Sequence, residues 1–325
     1  MDHGLGPRAD HAPRRGRRYR GAGTSGYTYP MSIGAAPKSI SLAYSVDADD
    51  AFMFHALREG FVATPPGLTF THRRGDTAAL NQMAIAGEAD VVAISAGAYP
   101  SCADRYLLLP HGASVGRGFG PVVVAREPLA PADLAGRRVG IPGLTTTAWL
   151  VLRLIVPGAV PVPIPIVPFA RIFDAVESGE VDAALVIHEG RLLYPERGLK
   201  LVVDLGVWWQ EQVGLPLPLG VNVIRRGLGP DLVREVSDVL RRSIRFALDH
   251  KPQMVEVLIR EDRGERALAD PKLIDHYLGL YANADTAEMP ADARRGVDAL
   301  FARARAAHLL PPDPAGGVAK VEWAP

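Results

Sequence analysis

The residue best suited to chemistry is His188, the first polar residue after the apolar run Ala183–Ile187. An imidazole with an ordinary pKa near 6.5 can remove a proton at neutral pH. A histidine that ends a strand and bonds only to backbone is the somewhat better interpretation from this residue alone, because its position indicates a neighbourhood and no role. Two interpretations of His188 therefore stay open at this point: it is a catalytic base, or it is a structural histidine.

Three consecutive threonines, Thr145, Thr146 and Thr147, follow Pro142-Gly143 and open a predicted helix. Free backbone N–H groups and hydroxyls at such a position can bind a carboxylate or a phosphate. A simple helix cap is the alternative, but one threonine is enough for it. The triplet therefore favours an anion-binding site.

Other polar residues also follow predicted strands. In open parallel sheets, ligands bind beyond the carboxyl ends of the strands, so these side chains should meet at one cleft. The residues that follow the strands, besides His188 and the threonines, are Ser45, Asp47, Asp49, Asp50, Ser95, Glu189 and Arg191.

Several familiar sites are absent from the sequence. The glycine loop Gly112–Gly120 runs into a predicted strand, whereas a dinucleotide fingerprint opens a helix. No His, Asp or Glu grouping has the spacing of a motif such as H-E-x-x-H, so we expect no metal. Cys102 is the single cysteine, which rules out an internal disulfide and zinc-type cysteine spacing. Trp208 and Trp209 are more typical of a packing corner than of a ligand platform, although either could stack on an aromatic ligand.

Strands and helices alternate along the chain, which is typical of parallel sheets. The sequence Gly-Glu-x-Asp followed by an apolar strand occurs twice, at Gly87–Asp90 and at Gly179–Asp182. Glycine supplies the left-handed residue that ends a helix. Similar turns can arise by chance, but two similar α/β lobes in tandem explain the order better. Four helices are predicted after them, at Pro230–Asp249, Pro252–Arg260, Pro271–Tyr281 and Pro290–His308.

Two chain crossings between the lobes are expected, near Ala125–Pro128 and near Gly220–Asn222. They place residues 38–126 and 222–325 in lobe one and residues 127–221 in lobe two. Residues 1–37 are rich in Gly, Arg and Pro and are predicted to be a disordered extension. By analogy, two α/β lobes joined twice around an interlobe cleft, with C-terminal helices, have the layout of a periplasmic-binding-protein-like type II fold.

The composition limits the kinds of partner that the protein can bind. Lys+Arg and Asp+Glu are both 36 in the 325 residues, so the basic footprint of a nucleic-acid binder is missing. No run reaches the roughly 18 apolar residues needed to span a membrane. The arginine run Arg14–Arg20 lacks the apolar stretch that an export signal requires, so we expect a cytoplasmic protein. The expected partner is a small anionic organic molecule.

Five segments in order resemble the 1,4-dihydroxy-6-naphthoate synthase family. They are L-L-L-P-x-G-x-x-x-G-R-G-x-G-P-x-V-V-A from Leu107, I-P-G-x-x-T-T-A from Ile141, G-E-V-D-A-x-L-V-I-H-E-G-R from Gly179, V-D-L-G-x-W-W from Val203 and G-L-P-L-P-L-G from Gly214. The resemblance implies a lyase that converts cyclic dehypoxanthine futalosine to 1,4-dihydroxy-6-naphthoate in menaquinone biosynthesis and releases a three-carbon sugar fragment. It further implies a carbon–carbon lyase without cofactor, in which His188 is the base.

The expected substrate-binding residues combine the strand-end positions with those that the resemblance implies. They are Ser45, Asp47, Asp49, Ser95, Ala96, Thr146, Thr147 and Arg191. The chain departs from the family pattern at Val46, Ala96 and Gly190, where the family has proline, tyrosine and serine. A non-catalytic solute-binding protein, or a divergent paralogue of the same fold, is therefore the alternative. The related chorismate dehydratase ranks lower, because its pattern lacks H-E-x-R after the last strand of lobe two.

Overall fold

The computed structural model describes residues 38–166, 168–261, 266–310 and 320–325. The predicted extension at residues 1–37 lies outside the described residues. The strands are β1 (Lys38–Ser45), β2 (Leu68–Gly75), β3 (Val91–Ser95), β4 (Tyr106–Leu108), β5 (Ser114–Gly116), β6 (Val122–Ala125), β7 (Arg138–Ile141), β8 (Val160–Pro163), β9 (Ala183–Val186), β10 (Lys200–Asp204) and β11 (Leu217–Arg225).

The helices between and after these strands match the predicted alternation. They are α1 (Ala48–Arg58), α2 (Thr77–Ala86), α3 (Thr147–Ile155), α4 (Ala170–Glu177), α5 (Gly190–Leu193), α6 (Leu205–Val213), α7 (Pro230–Asp249), α8 (Lys251–Leu258), α9 (Pro271–Tyr281), α10 (Ala284–Ala287) and α11 (Ala291–Ala306). None of the helices in the described ranges combines the length and the apolar character needed to cross a bilayer.

The strands form two sheets. The first has the order β2-β1-β3-β11-β4, with β5 also paired to β11. The second has the order β10-β6-β9-β7-β8. In each sheet two parallel pairings join three strands, and an antiparallel strand comes next, β11 in the first sheet and β6 in the second. The two sheets confirm the predicted α/β class.

Sheet membership corrects the expected lobe limits at two strands. We placed Val122–Ala125 in lobe one, but this strand pairs antiparallel with β9 and β10 of the second sheet. We placed residues 217–221 in lobe two, but β11 pairs with β3 and β5 of the first sheet along this stretch. The chain therefore enters the second sheet before Val122 and returns to the first between Asp204 and Leu217. As limits of independent folding units, the lobes stay a prediction.

The repeated helix-to-strand junction has the same backbone conformation in both places. Gly87 ends α2 with φ 73°, and Gly179 follows α4 with φ 81°. Both are in the left-handed region, which costs glycine no steric penalty. The matching Gly-Glu-x-Asp segments therefore reflect one turn used twice.

The apolar pattern at residues 162–167 predicts a strand, and strand β8 has different limits. It runs from Val160 to Pro163 and pairs in parallel with β7 at the edge of the second sheet. The backbone N–H groups of Val160 and Ile164 donate to the backbone carbonyls of Arg137 and Ile141. Prolines alternate with these donors, so each proline faces the side of the strand that has no ladder partner, as edge strands allow. The pairing therefore begins two residues earlier than the apolar pattern suggested.

One apolar cluster includes residues from both sheets, among them Val92 of β3, Val123 of β6 and Leu185 of β9. Trp209 of α6 is fully buried in the same cluster. Burial of apolar area stabilises this contact by about 25 cal/mol for each Å² removed from water. The packing holds the two sheets with the carboxyl ends of their parallel strands facing a shared cleft.

Candidate active site

The cleft lies where the ends of the two parallel sets of strands meet. It encloses about 750 Å³ of space, part of it open to solvent. Its walls carry eight of the nine side chains predicted for the site, which are Ser45, Asp47, Asp49, Ser95, Thr146, Thr147, His188 and Arg191. Ala96 is the exception: it is fully buried and does not line the cleft. It belongs to the apolar core cluster, and this burial corrects its assignment to substrate binding.

His188 and Asp47 form the central pair of the cleft. His188 Nδ1 lies 2.8 Å from Asp47 Oδ2, and Nε2 lies 3.1 Å from the hydroxyl of Thr77. Asp47 follows β1 of the first sheet and caps α1, whereas His188 follows β9 of the second. The His188 side chain is 18% exposed, so it can meet a ligand, and its φ of 52° is unusual for a histidine. Held at both nitrogens, the ring has a fixed orientation.

The charges of this pair stabilise each other. Burial alone would lower the pKa of His188, but the negative charge of Asp47 and its hydrogen bond raise that pKa to about 10. Burial would raise the pKa of Asp47, but the His188 charge and several hydrogen bonds hold it well below its usual range. These shifts favour an imidazolium beside a carboxylate at neutral pH.

Two further carboxyl groups behave in the opposite way. Burial and the nearby charge of Asp47 raise the pKa of Asp49 well above its ordinary value, and the pKa of Asp50 to about 7. Asp49 accepts hydrogen bonds from Ser114 at 2.5 Å and from Tyr277 at 3.0 Å. Asp50 accepts the N–H of Ser45 at 2.6 Å. The segment Ser45–Asp50, called the first loop below, thus supplies the charged carboxylate of Asp47 and favours the neutral form of Asp49.

Glu189 makes a second link between the sheets beside the first. It is fully buried, and its Oε1 accepts the backbone N–H of Ala48 at 3.0 Å. Ala48 is the first residue of α1, where the helix dipole favours a negative charge. Asp47–His188 and Ala48–Glu189 are therefore consecutive contacts that hold the first loop against the end of β9.

The two predicted threonine hydroxyls are engaged within the protein. Thr146 caps α3 by accepting from the N–H of Trp149, and it donates to the Gly143 carbonyl. Thr147 accepts from the N–H of Gly97 at 2.9 Å and donates to the Leu219 carbonyl at 2.7 Å. The cap is thus Thr146, and Thr147 joins α3 to the first sheet. What α3 can offer an anion is the N–H groups of its first turn.

Arg191 also lines the cleft, with its charge matched. Its Nη1 lies 2.7 Å from Asp204 and also donates to the Gly120 carbonyl. Its guanidinium lies over the ring of Phe119, 5.7 Å from the centroid. The side chain forms a wall of the cleft and has a carboxylate partner of its own.

Two other histidines, and the tryptophans noted in the sequence, lie elsewhere. His72 bonds the hydroxyl of Tyr44, and the buried His111 bonds Ser237. Neither lines the cleft, nor do Trp208 and Trp209. The packing-corner interpretation therefore describes Trp209, which is fully buried.

The strand-end positions predicted that Asp47, Asp49 and His188 would reach one cleft, but their spacing is not that of a metal-ligand motif. Each offers one ligand atom, and these atoms lie within 4.8 Å of one another, a grouping that could hold a cation. Asp47 Oδ2 already bonds His188 and the hydroxyl of Ser45, the latter at 2.6 Å. The arrangement is that of a hydrogen-bonded ion pair with a neighbouring carboxyl.

A sequence profile for the family described as menaquinone biosynthesis matches residues 40–306. The chain belongs to this family. It is 39% identical to the 1,4-dihydroxy-6-naphthoate synthase of Thermus thermophilus over 277 residues, which cover 85% of this chain and 98% of that protein. It is 40% identical to the synthase of the same name from Streptomyces coelicolor, with 84% and 95% covered.

Solved structures show the same architecture. A protein from Archaeoglobus fulgidus is 42% identical, with a TM-score of 0.77, 84% of this chain covered and 98% of that one. The alkanesulfonate-binding protein of Xanthomonas axonopodis, solved with bound MOPS, is 16% identical with a TM-score of 0.62, and 86% and 96% are covered. At that identity the second likeness concerns the fold alone. The predicted periplasmic-binding-protein-like fold is confirmed.

The departure from the family pattern at Gly190 has a packing explanation. A Cβ at this position would lie 2.5 Å from Val186 Cγ1 and 3.5 Å from the ring of Phe173. Gly190 is buried and absent from the cleft wall. A side chain at this position would therefore enter the core around Val186 and Phe173, away from the cleft lining.

Proposed function

We propose that the chain converts cyclic dehypoxanthine futalosine to 1,4-dihydroxy-6-naphthoate in menaquinone biosynthesis, as a carbon–carbon lyase. The observation that carries the proposal is the His188–Asp47 pair, which stands in the cleft at the position implied for the base. The names of two relatives that match nearly their whole length support the choice of reaction.

His188 would remove a proton from the substrate through Nε2. Asp47 holds Nδ1 and therefore sets which nitrogen faces the substrate. Nε2 contacts the hydroxyl of Thr77, so the substrate must replace or share this contact. Once the proton has left, bond cleavage releases the three-carbon fragment and the ring system becomes aromatic, which makes the step favourable.

The raised pKa of His188 has a direct consequence for rate. With a pKa of about 10, only a small fraction of the molecules carries a neutral imidazole at pH 7. Activity from the base form should therefore increase as the pH rises. A group that acted as an acid would give the opposite trend.

Binding without turnover is the second candidate, and the same pKa favours it. An imidazolium is a hydrogen-bond donor and cannot accept a proton, which suits a carrier of an anionic ligand. A carrier differs from a lyase in its product, because a carrier releases the bound ligand chemically unchanged.

The test is incubation of the purified chain with cyclic dehypoxanthine futalosine, followed by chromatography for the naphthoate. We expect product, with kcat/KM rising between pH 6 and pH 9. Tight binding of the substrate without product would favour the carrier and reject the lyase.

A further inference from the structure

Asn222 lies in the wall of the cleft and has no role in the account given so far. It belongs to β11, is 1% exposed, and lines the cavity. Neither Oδ1 nor Nδ2 of its side chain has a hydrogen-bond partner among the described residues. A buried amide without partners is costly, because it loses its bonds to water and gains none in return. Such a group in a cleft wall indicates that a ligand supplies the missing bonds.

Other buried polar atoms without partners do not face the cleft. Nε1 of Trp209 and Nδ1 of His111 are of this kind, and neither residue lines the cavity. Asn222 therefore combines both features, an unpartnered side chain and a position on the cleft wall. Its backbone is well anchored, since its carbonyl accepts the N–H of Leu109 at 2.9 Å and β11 pairs with β3.

The side-chain amide of Asn222 occupies space that is free only because residue 112 is glycine. A Cβ at Gly112 would lie 2.0 Å from Asn222 Nδ2, and the φ of Gly112 is 78°. Any side chain there would displace the amide and would also strain the backbone. The glycine and the asparagine form one wall of the cleft.

We infer that Asn222 is a substrate-binding residue that recognises a hydroxyl group. The inference rests on the proposed function and adds a contact that it lacks. The amide presents one acceptor and one donor, so its complement is a group that both donates and accepts. A hydroxyl does both, whereas a carboxylate accepts only and would leave Oδ1 unpaired. A site that hydrogen-bonds a substrate hydroxyl discriminates strongly against analogues without that hydroxyl, because such an analogue leaves a buried polar group of the protein unpaired.

The first test replaces the amide by an apolar group of similar size, in Asn222→Leu. We expect kcat/KM for cyclic dehypoxanthine futalosine to fall roughly 10- to 100-fold. The unfolding temperature of the empty protein should stay the same or rise, because an unpaired buried amide has been removed. The rise in unfolding temperature on adding substrate should shrink.

Asn81→Leu is the matched control for stability. Asn81 is also fully buried, but its amide accepts from the N–H of Ser95 and donates to the hydroxyls of Ser95 and Thr145. Its replacement should lower the unfolding temperature. If Asn222→Leu lowers it equally, Asn222 is structural and the inference is overturned.

The second test uses two glycines with similar backbone angles. Gly118 has φ 76° and open space around its Cα, so Gly118→Ala imposes the strain alone. Gly112→Ala adds the collision with Asn222. We expect a larger loss of kcat/KM in Gly112→Ala than in Gly118→Ala, and equal losses would contradict the inference.

Deoxy analogues of the substrate test the hydroxyl itself, one analogue for each hydroxyl of the sugar-derived part. One of them should be a poor substrate for the wild type and should lose no further activity in Asn222→Leu. If every analogue loses activity equally in both proteins, Asn222 does not bind a hydroxyl. Failure of the wild type to turn over the parent compound would reject the proposed function instead, and the two failures are thereby distinguished.

Discussion

Asp47 Oδ2 lies 2.8 Å from His188 Nδ1, and this contact joins the loop after β1 of the first sheet to the end of β9 in the second. A buried ion pair of this kind does little for net stability by itself, because the loss of hydration offsets the attraction. Its main effect is on protonation, since Asp47 overcomes the effect of burial on the imidazole. The predictions below follow from this pair and from the groups around it.

Asp47→Asn should lower the pKa of His188. The single amide oxygen of asparagine can keep only one of the two contacts, the α1 cap made by Oδ1 or the bond to Nδ1 made by Oδ2, and the charge that raises the pKa to about 10 is gone. Burial then dominates and pulls the imidazole pKa towards or below 6.5. NMR titration of the His188 ring would measure it. Asp104→Asn, at an exposed position, should leave the titration unchanged, and an unaltered pKa in Asp47→Asn would contradict the assignment.

Asp50→Asn should remove part of the pH dependence of stability. The carboxyl of Asp50 has a raised pKa of about 7, so it favours the folded protein at low pH, and this contribution is lost as the pH rises from about 4 to 7. Asparagine keeps an acceptor for the Ser45 N–H and cannot ionise. The free energy of unfolding in urea should therefore decline less for the variant than for the wild type between pH 5 and pH 8. Equal slopes would show that Asp50 titrates normally.

Thr147→Val should destabilise the protein by about 1–3 kcal/mol, because the Gly97 N–H and the Leu219 carbonyl both lose a buried partner. Thr147→Ser keeps the hydroxyl and should retain most of the stability. Urea unfolding of the two variants measures the difference. Similar stability for both would mean that the hydroxyl is free to bind substrate, as the sequence had indicated.

Gly190→Ser restores the residue of the family pattern and should cost about 1–3 kcal/mol through overpacking. The added Cβ meets Cγ1 of Val186, a β-branched side chain with little freedom to move. The double variant Gly190→Ser/Val186→Ala should recover part of the loss. A fully stable single variant would show that the core beneath His188 adapts without strain.

Much of the fold could be predicted from local patterns. Helices α7 and α9 begin and end where expected, because each has a proline in its first turn, where the missing N–H costs nothing. Strand β6 was assigned to the wrong lobe because sheet membership depends on pairing between distant segments, which its four apolar residues do not encode. The shift of β8 has the same origin.

The sequence predicted which residues lie at the candidate site better than it predicted what each of them does there. Strand-end residues reached the cleft because parallel strands end at one edge. The direction of the Thr147 hydroxyl and the pKa of His188 depend on partners far along the chain, so no local pattern gives them. Tyr277 and Asn222 reach the cleft from a helix face and a strand interior, and neither position carried a signal. Ser114 lies in the glycine loop Gly112–Gly120, for which the sequence analysis rejected a dinucleotide-binding role and predicted no other.

Turnover of cyclic dehypoxanthine futalosine by His188→Asn measures most directly whether His188 is the base. Asparagine tolerates the positive φ and can donate to Asp47, so the fold should persist, but it cannot act as a base. We predict a kcat loss of roughly 10²–10⁴-fold with substrate-induced thermal stabilisation retained, while His276→Gln on the exposed face of α9 keeps full activity. Turnover by His188→Asn at the wild-type rate would contradict the account.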